Sequence, residues 1–396
     1  MNDTQAKYPQ LRFKGFADPW EQCKLGDVAK ITMGQSPNSK NYTDNPKDHI
    51  LVQGNADMKD GQVHPRIWTT EITKIADKGD LILSVRAPVG DIGKTSYDVV
   101  IGRGVAAIKG NEFIFQLLKR MKTVGYWTKY STGSTFESIN SLEINNAVIN
   151  LPKEHEQNEV GKILSYMDHA ITLHEEKKRQ LERLKSALLQ KMFANKSGYP
   201  VVRFEGFSDE WEERKLGDAV SISSGVTGDA TLQDGEYRLT RIESISQGTL
   251  NVARLGFTNK KPDQKYLLNL GDILYSNINS LSHIGKVALV DTTGIYHGIN
   301  LLRFQMRNDV DSEFLFQRLN TTPMKNWAVS HANPAVSQAS INQTELSKQP
   351  ISLPTITEQQ KIGSFFKQLD KTIALHQRKL DLLKEQKKGF LQKMFV

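Results

Sequence analysis

Residues 8–34 read YPQLRFKGFADPWEQCKLGDVAKITMG, and residues 199–225 read YPVVRFEGFSDEWEERKLGDAVSISSG. Fifteen of these 27 positions are identical at an offset of 191 residues. Long-range self-similarity of this kind indicates that one structural unit occurs more than once in the chain. The 396-residue chain is therefore predicted to be a tandem duplication, with about one domain in each copy.

The similarity returns at the end of each copy, now at an offset of 202 residues. Residues 138–140 (SIN) match residues 340–342, and residues 190–193 (QKMF) match residues 392–395. The interiors mostly diverge. We call the similar segments at the start and end of each copy the frame. Similar frames around different interiors are typical of a fold that recognises two different targets, although sequence drift in unconstrained loops gives the same pattern. The segment that links the two copies is similar to the segments at the two ends of the chain. This similarity predicts a pseudo-two-fold, nearly circular arrangement in which the two chain ends lie close together.

A long helix is predicted at the end of each copy, because apolar residues recur there every seven positions. We call this apolar stripe the helix seam. Its members are Met167, Ile171, His174, Leu181 and Leu188 in the first copy, and Leu369, Ile373, His376, Leu383 and Phe390 in the second. Each helix would be about 36 residues, or ~54 Å, long. Two equivalent stripes in one chain can cover each other, so we expect the helices to pair as an antiparallel coiled coil.

Polar residues interrupt the seam. Lys178, Lys185 and Lys387 occupy seam positions and make it imperfect. For His174 and His376, setting the register of the helices is the better interpretation. A metal or catalytic role has little support, because no further ligands stand at suitable spacing.

The globular parts, residues 20–150 and 211–350, alternate short apolar runs with turns rich in Gly, Pro, Asn and Asp, which predicts an α+β fold of two mixed α/β domains. Arg, Asn and Gln in their loops can pair with guanine and adenine edges. For any single one of them, an ordinary surface position is the better explanation. The candidate DNA-contacting residues are Gln35, Gln53, Asn55, Arg86, Arg103 and Thr135 in the first copy, and Arg238, Arg241, Asn277, Asn279, Asn300 and Gln338 in the second.

Composition limits the class of protein. The formal net charge of +8 favours a polyanionic partner, but residues 197–357 carry 15 basic and 17 acidic side chains, so charge alone does not decide. The single cysteine, Cys23, excludes a disulfide framework and is typical of a reducing cytoplasm. The absence of an 18-residue apolar run and of a signal-peptide pattern predicts no membrane span and a cytoplasmic chain.

Segments that resemble catalytic motifs each lack a residue that the motif requires. Gly93-Lys94-Thr95 resembles the end of a phosphate-binding loop, but Pro88 stands where that loop needs glycine. Asn333-Pro334 is followed by Ala335, so the Asn-Pro-Pro-aromatic signature of amino-methyltransferases is missing. No metal-spaced histidine cluster appears. The chain is therefore predicted to be non-catalytic and to hold no metal or cofactor.

Taken together, the sequence resembles the specificity subunit of type I DNA restriction–modification enzymes. The resemblance is carried by the frame at Pro9–Asp27 and its copy at Pro200–Asp218, by the segment Gly79–Arg86, by the segments Ile149–Gly161 and Ile351–Gly363, and by the two long helices. It spans the whole chain. The recognition interiors of this family are hypervariable, so the resemblance assigns no base-contacting residue.

The resemblance implies two target recognition domains, each recognising one half of an asymmetric, interrupted site in double-stranded DNA. On this basis we expect recognition domains at residues 1–152 and 199–354, with spacer helices at 153–198 and 355–396 that dock two modification subunits. Those partners would bind S-adenosylmethionine and methylate adenine after flipping it from the helix. Restriction subunits would add ATP- and Mg²⁺-dependent translocation and cleavage, and phage DNA-mimic inhibitors are a further possible class of partner.

Two other functions stay open at this point. The variable domains could bind proteins, which would make the chain a scaffold or adaptor with no direct base recognition. The chain could also be a self-sufficient nuclease or methyltransferase with unrecognised motifs. We further expect the isolated chain to bind DNA weakly and to bind tightly with its modification subunits, because partners would supply most of the phosphate contacts.

Overall fold

The computed structural model describes residues 8–130, 138–194, 198–246, 248–333 and 338–396. The chain forms two compact units. The first unit comprises Met1–Glu175 together with Arg378–Val396, and the second comprises Glu176–Gln377. Both units belong to the α+β class, and each contains a two-stranded and a six-stranded sheet, as the duplication predicts, whereas their remaining sheets differ.

The strands of the first unit form three sheets. A two-stranded sheet pairs β1 with β13, a six-stranded sheet has the order β2-β12-β9-β10-β6-β5, and a five-stranded sheet has the order β3-β7-β4-β11-β8. The strands are β1 Glu21–Lys24, β2 Lys30–Met33, β3 Tyr42–Thr43, β4 His49–Val52, β5 Met58–Lys59, β6 Gln62–Val63, β7 Trp68–Thr69, β8 Ile75–Ala76, β9 Leu81–Ser84, β10 Ile92–Lys94, β11 Val99–Ile101, β12 Val105–Lys109 and β13 Val148–Leu151.

The helices of the first unit are α1 Leu25–Val28, α2 Glu112–Thr123, α3 Ser141–Asn145 and α4 Glu154–Lys191, of which α4 continues into the second unit. Helix α2 begins where the Asn111 side chain accepts a hydrogen bond from the backbone N–H of Ile114. Its apolar residues are buried against the six-stranded sheet. Phe113 lies between Trp20 and Phe395, with ring centroids 5.5 and 5.0 Å away. The C-terminal residues of the chain therefore belong to the core of the first unit.

The second unit has a two-stranded sheet β14-β26, a six-stranded sheet β15-β24-β20-β22-β18-β17, a three-stranded sheet β19-β16-β23 and a pair β21-β25. Its strands are β14 Glu212–Lys215, β15 Val220–Ser224, β16 Tyr237–Leu239, β17 Ile245–Ser246, β18 Thr249–Leu250, β19 Gly256–Thr258, β20 Ile273–Tyr275, β21 Ile278–Asn279, β22 Val287–Leu289, β23 Ile295–Tyr296, β24 Leu302–Met306, β25 Ala339–Ser340 and β26 Pro350–Leu353. Its helices are α5 Leu216–Ala219, α6 Ser312–Leu319, α7 Thr322–His331, α8 Gln343–Ser347 and α9 Ile356–Lys393, of which α9 continues into the first unit.

Helices α4 and α9 pair in an antiparallel manner within each unit. In the first unit Asp168 of α4 contacts Lys387 of α9, and Glu175, further along α4, contacts Lys384. The residue number falls along α9 as it rises along α4, which defines the antiparallel direction. All ten predicted seam residues are buried or half-buried. The predicted helix pairing is therefore confirmed.

In each unit, equivalent contacts join the start of one copy to the C-terminal end of a long helix. In the first unit the Leu11 N–H donates to the Lys393 carbonyl at 2.8 Å, so residues near the two ends of the described chain lie together, as predicted. In the second unit the Val202 N–H donates to the Lys191 carbonyl at 2.9 Å. Beside these contacts, Arg12 makes a two-pronged ion pair with the buried carboxylate of Glu156, and Arg203 repeats this pair with Glu358.

Candidate nucleic-acid interface

Four loops of the first unit meet at one end of its two larger sheets. The Gln35 N–H donates to the Ile101 carbonyl at 2.8 Å, and the Gly102 N–H donates to the Val52 carbonyl at 2.8 Å. The Val85 N–H donates to the Gly104 carbonyl at 2.9 Å. Backbone hydrogen bonds thus join the loops that follow β2, β4, β9 and β11. We call residues 34–36, 53–55, 86 and 102–104 the first loop cluster.

The backbone of this cluster is tightly fixed. A Cβ at Gly104 would overlap the carbonyl oxygen of Gln53, so only glycine fits there. The buried carboxylate of Asp57 accepts hydrogen bonds from the backbone N–H of Gln53 at 2.7 Å and of Gly54 at 3.3 Å. The loop carrying Gln53 and Asn55 is therefore held by its backbone, which leaves its outward side chains free to vary.

The first loop cluster holds five of the six candidate residues of the first copy. Gln35, Arg86 and Arg103 are exposed, whereas Gln53 and Asn55 are half-buried. Among the described residues, the buried Nε2 of Gln53 has no hydrogen-bond partner. Thr135 lies outside the described residues. The sequence identified these loops as candidates but not their convergence, and the role of each side chain in DNA contact stays a prediction.

The second unit builds an equivalent cluster from equivalent loops. The Val226 N–H donates to the His297 carbonyl at 2.9 Å, and the Gly298 N–H donates to the Thr240 hydroxyl at 2.9 Å. A Cβ at Gly298 would overlap the Thr240 carbonyl oxygen. We call residues 225–226, 240–241, 277–279 and 298–300 the second loop cluster.

Four candidates of the second copy lie in this cluster. The Asn277 amide donates to the Ile341 carbonyl at 3.1 Å, and the Asn279 amide donates to the Ser276 hydroxyl at 3.0 Å, so both amides already serve the fold. Arg241 is half-buried, with its guanidinium against Gly256. Asn300 is exposed in the left-handed region at φ 66°.

The remaining two candidates lie elsewhere. Gln338 is exposed and directly precedes β25, which pairs with β21 beside the cluster. Arg238 is exposed on β16, with its guanidinium near the turn at Gly294. Because Gly294 precedes β23 and the cluster follows that strand, Arg238 is separated from the other candidates.

His297 lies beneath the second loop cluster and was not predicted from the sequence. It is 1% exposed, and its Nε2 is 3.0 Å from the Leu301 carbonyl oxygen. Burial lowers the pKa of its imidazole to about 4, and the charge of Arg303 acts in the same direction. His297 is therefore neutral near pH 7. The sequence offers no signal that separates it from an exposed histidine.

Over the described ranges, no group of three or more His, Cys, Asp or Glu side chains is placed to hold a metal ion. Over those same ranges, no helix has both the length and the apolar character needed to cross a membrane.

Comparison with known proteins assigns the family. The model of the type I restriction modification DNA specificity domain matches residues 17–183 and residues 208–385, one match for each copy. The chain belongs to this specificity family. The resemblance drawn from the sequence motifs is therefore confirmed, and with it the role of the chain in DNA sequence recognition within a type I restriction–modification system.

Curated relatives agree with the assignment. The chain is 36% identical over 195 residues to the putative type I restriction enzyme MjaX specificity subunit of Methanocaldococcus jannaschii, a match that covers 48% of this chain and 46% of the relative. It is 21% identical over 393 residues to the type I restriction enzyme MjaVIII specificity subunit of the same organism, covering 94% and 91%. The chain thus spans about half the length of the first relative and nearly all of the second.

Solved structures share the fold of this specificity-family chain. An S subunit of the type I restriction–modification system of M. genitalium matches with a TM-score of 0.67 at 16% identity, covering 98% of this chain and 99% of that one. A chain from a structure of type I restriction–modification complex assembly matches with a TM-score of 0.51, also at 16% identity, covering 94% and 97%. At this identity the likeness shows the fold alone.

Proposed function

We propose that each unit recognises one half of an asymmetric, interrupted site in double-stranded DNA through its loop cluster. The observation that carries the proposal is that the two clusters share one backbone scaffold and differ in their outward side chains. A scaffold used twice for the same partner has no reason to change those side chains. A scaffold that recognises two different sequences must change them, because base recognition depends on side-chain donors and acceptors.

The proposal also assigns roles outside the clusters. Helices α4 and α9 contribute residues to both units, and we propose that they set the gap between the two half-sites and dock two modification subunits. S-adenosylmethionine would belong to those subunits, and ATP and Mg²⁺ to restriction subunits, so that this chain is not itself an enzyme. Such a complex would act on DNA in the cytoplasm.

The test is to replace residues 20–150 with the same region of a relative and to co-produce the chain with its modification subunits. Methylated adenines are then mapped across the genome. We expect one half of the methylated site to change and the other half and the gap to stay the same. An unchanged site would refute DNA recognition by this region and favour the scaffold function. Activity of the purified chain alone with DNA, Mg²⁺ and S-adenosylmethionine would refute the non-catalytic role.

A second experiment addresses the partners. We expect the isolated chain to shift a DNA duplex weakly in a gel and to shift it strongly when modification subunits are added. Strong sequence-specific binding by the chain alone would contradict the assignment of most phosphate contacts to the partners.

A further inference from the structure

Two arginines stand out in the first loop cluster because neither has an ionic partner among the residues that the structure describes. In the described globular part of the first unit, Arg12 pairs with Glu156, Arg66 pairs with Asp57, and Arg120 donates to the Val396 carbonyl. Arg86 and Arg103 make no side-chain hydrogen bond or ion pair within the described residues, and both are exposed. The two unpaired guanidinium groups of this region therefore belong to one cluster.

Backbone pairing of the adjoining strands brings the two loops that carry these arginines together. Ser84 of β9 is paired with Val105 of β12, and the ladder continues through the Val85–Gly104 hydrogen bond. Arg86 follows Val85 and Arg103 precedes Gly104, so the two exposed arginines lie just beyond the ends of the paired strands, in neighbouring loops of the first loop cluster.

The second unit has isoleucine at both equivalent positions. The Ile139 N–H donates to the Val85 carbonyl, and the Ile341 N–H donates to the Asn277 carbonyl, which makes Val85 equivalent to Asn277 and Arg86 equivalent to Ile278. The bridges Arg86–Ser138 and Ile278–Ser340 agree with this alignment.

The second arginine aligns in the same way. A Cβ at Gly34 would overlap the Gly102 carbonyl, and a Cβ at Gly225 would overlap the Gly298 carbonyl. Gly102 is therefore equivalent to Gly298, and Arg103 to Ile299. The same backbone thus presents two arginines in one unit and two isoleucines in the other.

We propose that Arg86 and Arg103 recognise a guanine in the half-site contacted by the first unit, and that the second unit recognises no guanine from these two positions. The inference rests on the proposed function, since it presumes that the loop cluster contacts bases. Arginine presents paired N–H donors that match the O6 and N7 acceptors of guanine. Isoleucine has no donor and offers only apolar contact, for example with a thymine methyl group.

The second unit suggests the test variants. Arg86→Ile and Arg103→Ile introduce isoleucine, which the second unit carries at the equivalent positions 278 and 299. Each variant chain is co-produced with its modification subunits, and methylated adenines are mapped across the genome. We expect a G·C pair in one half-site of the wild-type chain to become degenerate, with roughly 5- to 150-fold weaker discrimination against other bases at that position. The other half-site and the gap should not change. Arg254→Ile, which removes an exposed arginine outside the second loop cluster, serves as the charge-matched control.

Failure of the inference is distinct from failure of the proposed function. A wild-type methylation pattern without two half-sites would refute the proposed function itself. A two-part site would refute only the guanine assignment if the half contacted by the first unit, identified by the replacement of residues 20–150, contains no G·C pair. The same holds if both variants keep every base of the wild-type recognition sequence. Uniformly weaker methylation with unchanged letters would indicate phosphate contacts and would also refute it.

Arg103→Lys decides the case in which the isoleucine variants abolish methylation. Lysine keeps the charge but loses the paired donors. Methylation with a relaxed guanine requirement would support base recognition. Methylation of an unchanged recognition sequence would overturn the guanine assignment. So would the absence of methylation from a variant whose melting temperature equals that of the wild type.

Discussion

Replacing Asp168 by asparagine should destabilise the first unit strongly, because this carboxylate connects three helices. It forms ion pairs with Lys387 of α9 and with Lys119 of α2, the latter at 3.3 Å, and accepts a hydrogen bond from Gln116 at 2.9 Å. Burial acts to raise the pKa of Asp168, but the charges of the two lysines and the hydrogen bonds of Lys387 and Gln116 outweigh it. The pKa therefore lies below its ordinary value.

The loss in the free energy of unfolding depends on which charged side chain stays buried without its partner. The Lys387 side chain is only 11% exposed, and burial lowers its pKa, with the charge of Lys119 adding to the effect. Removing one partner of a buried pair costs about 3–5 kcal/mol because the remaining charge is uncompensated. Asp168 is 32% exposed, so water reaches the site and tempers the loss to about 2–3 kcal/mol. For a unit of this size the melting temperature should fall by roughly 4–12 °C.

Lys387→Met is the informative counterpart, because it breaks the same ion pair from the buried side. Asp168 keeps Lys119 and Gln116, and the ammonium that is costly to bury is gone, so we expect a loss of less than about 1 kcal/mol. Differential scanning calorimetry of the full chain at pH 7 measures both variants. Equal losses, or a larger loss for Lys387→Met, would refute the reasoning that desolvation of Lys387 sets the cost.

The second unit provides a matched comparison. Lys185 pairs with Asp370 at 2.6 Å, and Gln317 donates to the same carboxylate at 2.9 Å. These ions are more exposed, at 22% and 38%, so Asp370→Asn should cost only about 1 kcal/mol.

The pH dependence has a defined sign for Asp168. Because its pKa is lowered on folding, its contribution is present above about pH 4 and is lost as the pH falls through the folded-state pKa.

Three further predictions concern other sites. Because burial lowers the pKa of His297 to about 4, the second unit should lose up to roughly 3 kcal/mol between pH 6.5 and pH 4, and His297→Gln should flatten that dependence in pH-dependent unfolding. Gly104→Ala should alter methylation of the half-site contacted by the first unit, whereas Gly54→Ala on the same loop, where a Cβ meets nothing within 4 Å, should not; equal effects in adenine mapping would contradict the steric account. Phe395→Ala should cost about 3–5 kcal/mol in calorimetry because Phe395 is 3% exposed in the core of the first unit, and a loss below 1 kcal/mol would contradict that packing.

The duplication made much of the fold predictable from sequence. Two copies of one frame, joined to helices with matching heptads, predict paired helices and two similar units before any coordinates are known. The loops that carry the candidates were also identifiable, because Gly, Arg, Asn and Gln mark the ends of short apolar runs. The separation of Arg238 from the other candidates was not predictable, since it depends on which end of β23 the side chain approaches.

The lysines of the helix seam show where sequence reasoning reached its limit. By heptad pattern, Lys185 and Lys387 interrupt an apolar stripe and look like defects. In the structure each one pairs with an aspartate of the facing helix, and a glutamine from the globular part joins the same carboxylate. The pattern of one helix cannot reveal such a partner, because the partner lies 185 residues away for Lys185 and 219 residues away for Lys387.

The loop clusters separate the groups that hold the backbone in shape from the side chains that we propose to contact DNA. Glycines at points of close backbone approach, and backbone hydrogen bonds between the loops, hold both clusters in shape. Some side chains of the clusters also hold the fold, such as the Asp57 carboxylate and the Ser244 hydroxyl at equivalent turns, and the Asn277 and Asn279 amides. Arg86 and Arg103 can therefore stand where the other unit has Ile278 and Ile299 without a change of fold. Under the proposed function, such a protein acquires a new DNA target by substitution of outward side chains, because the backbone hydrogen bonds and glycines that hold the clusters do not involve them.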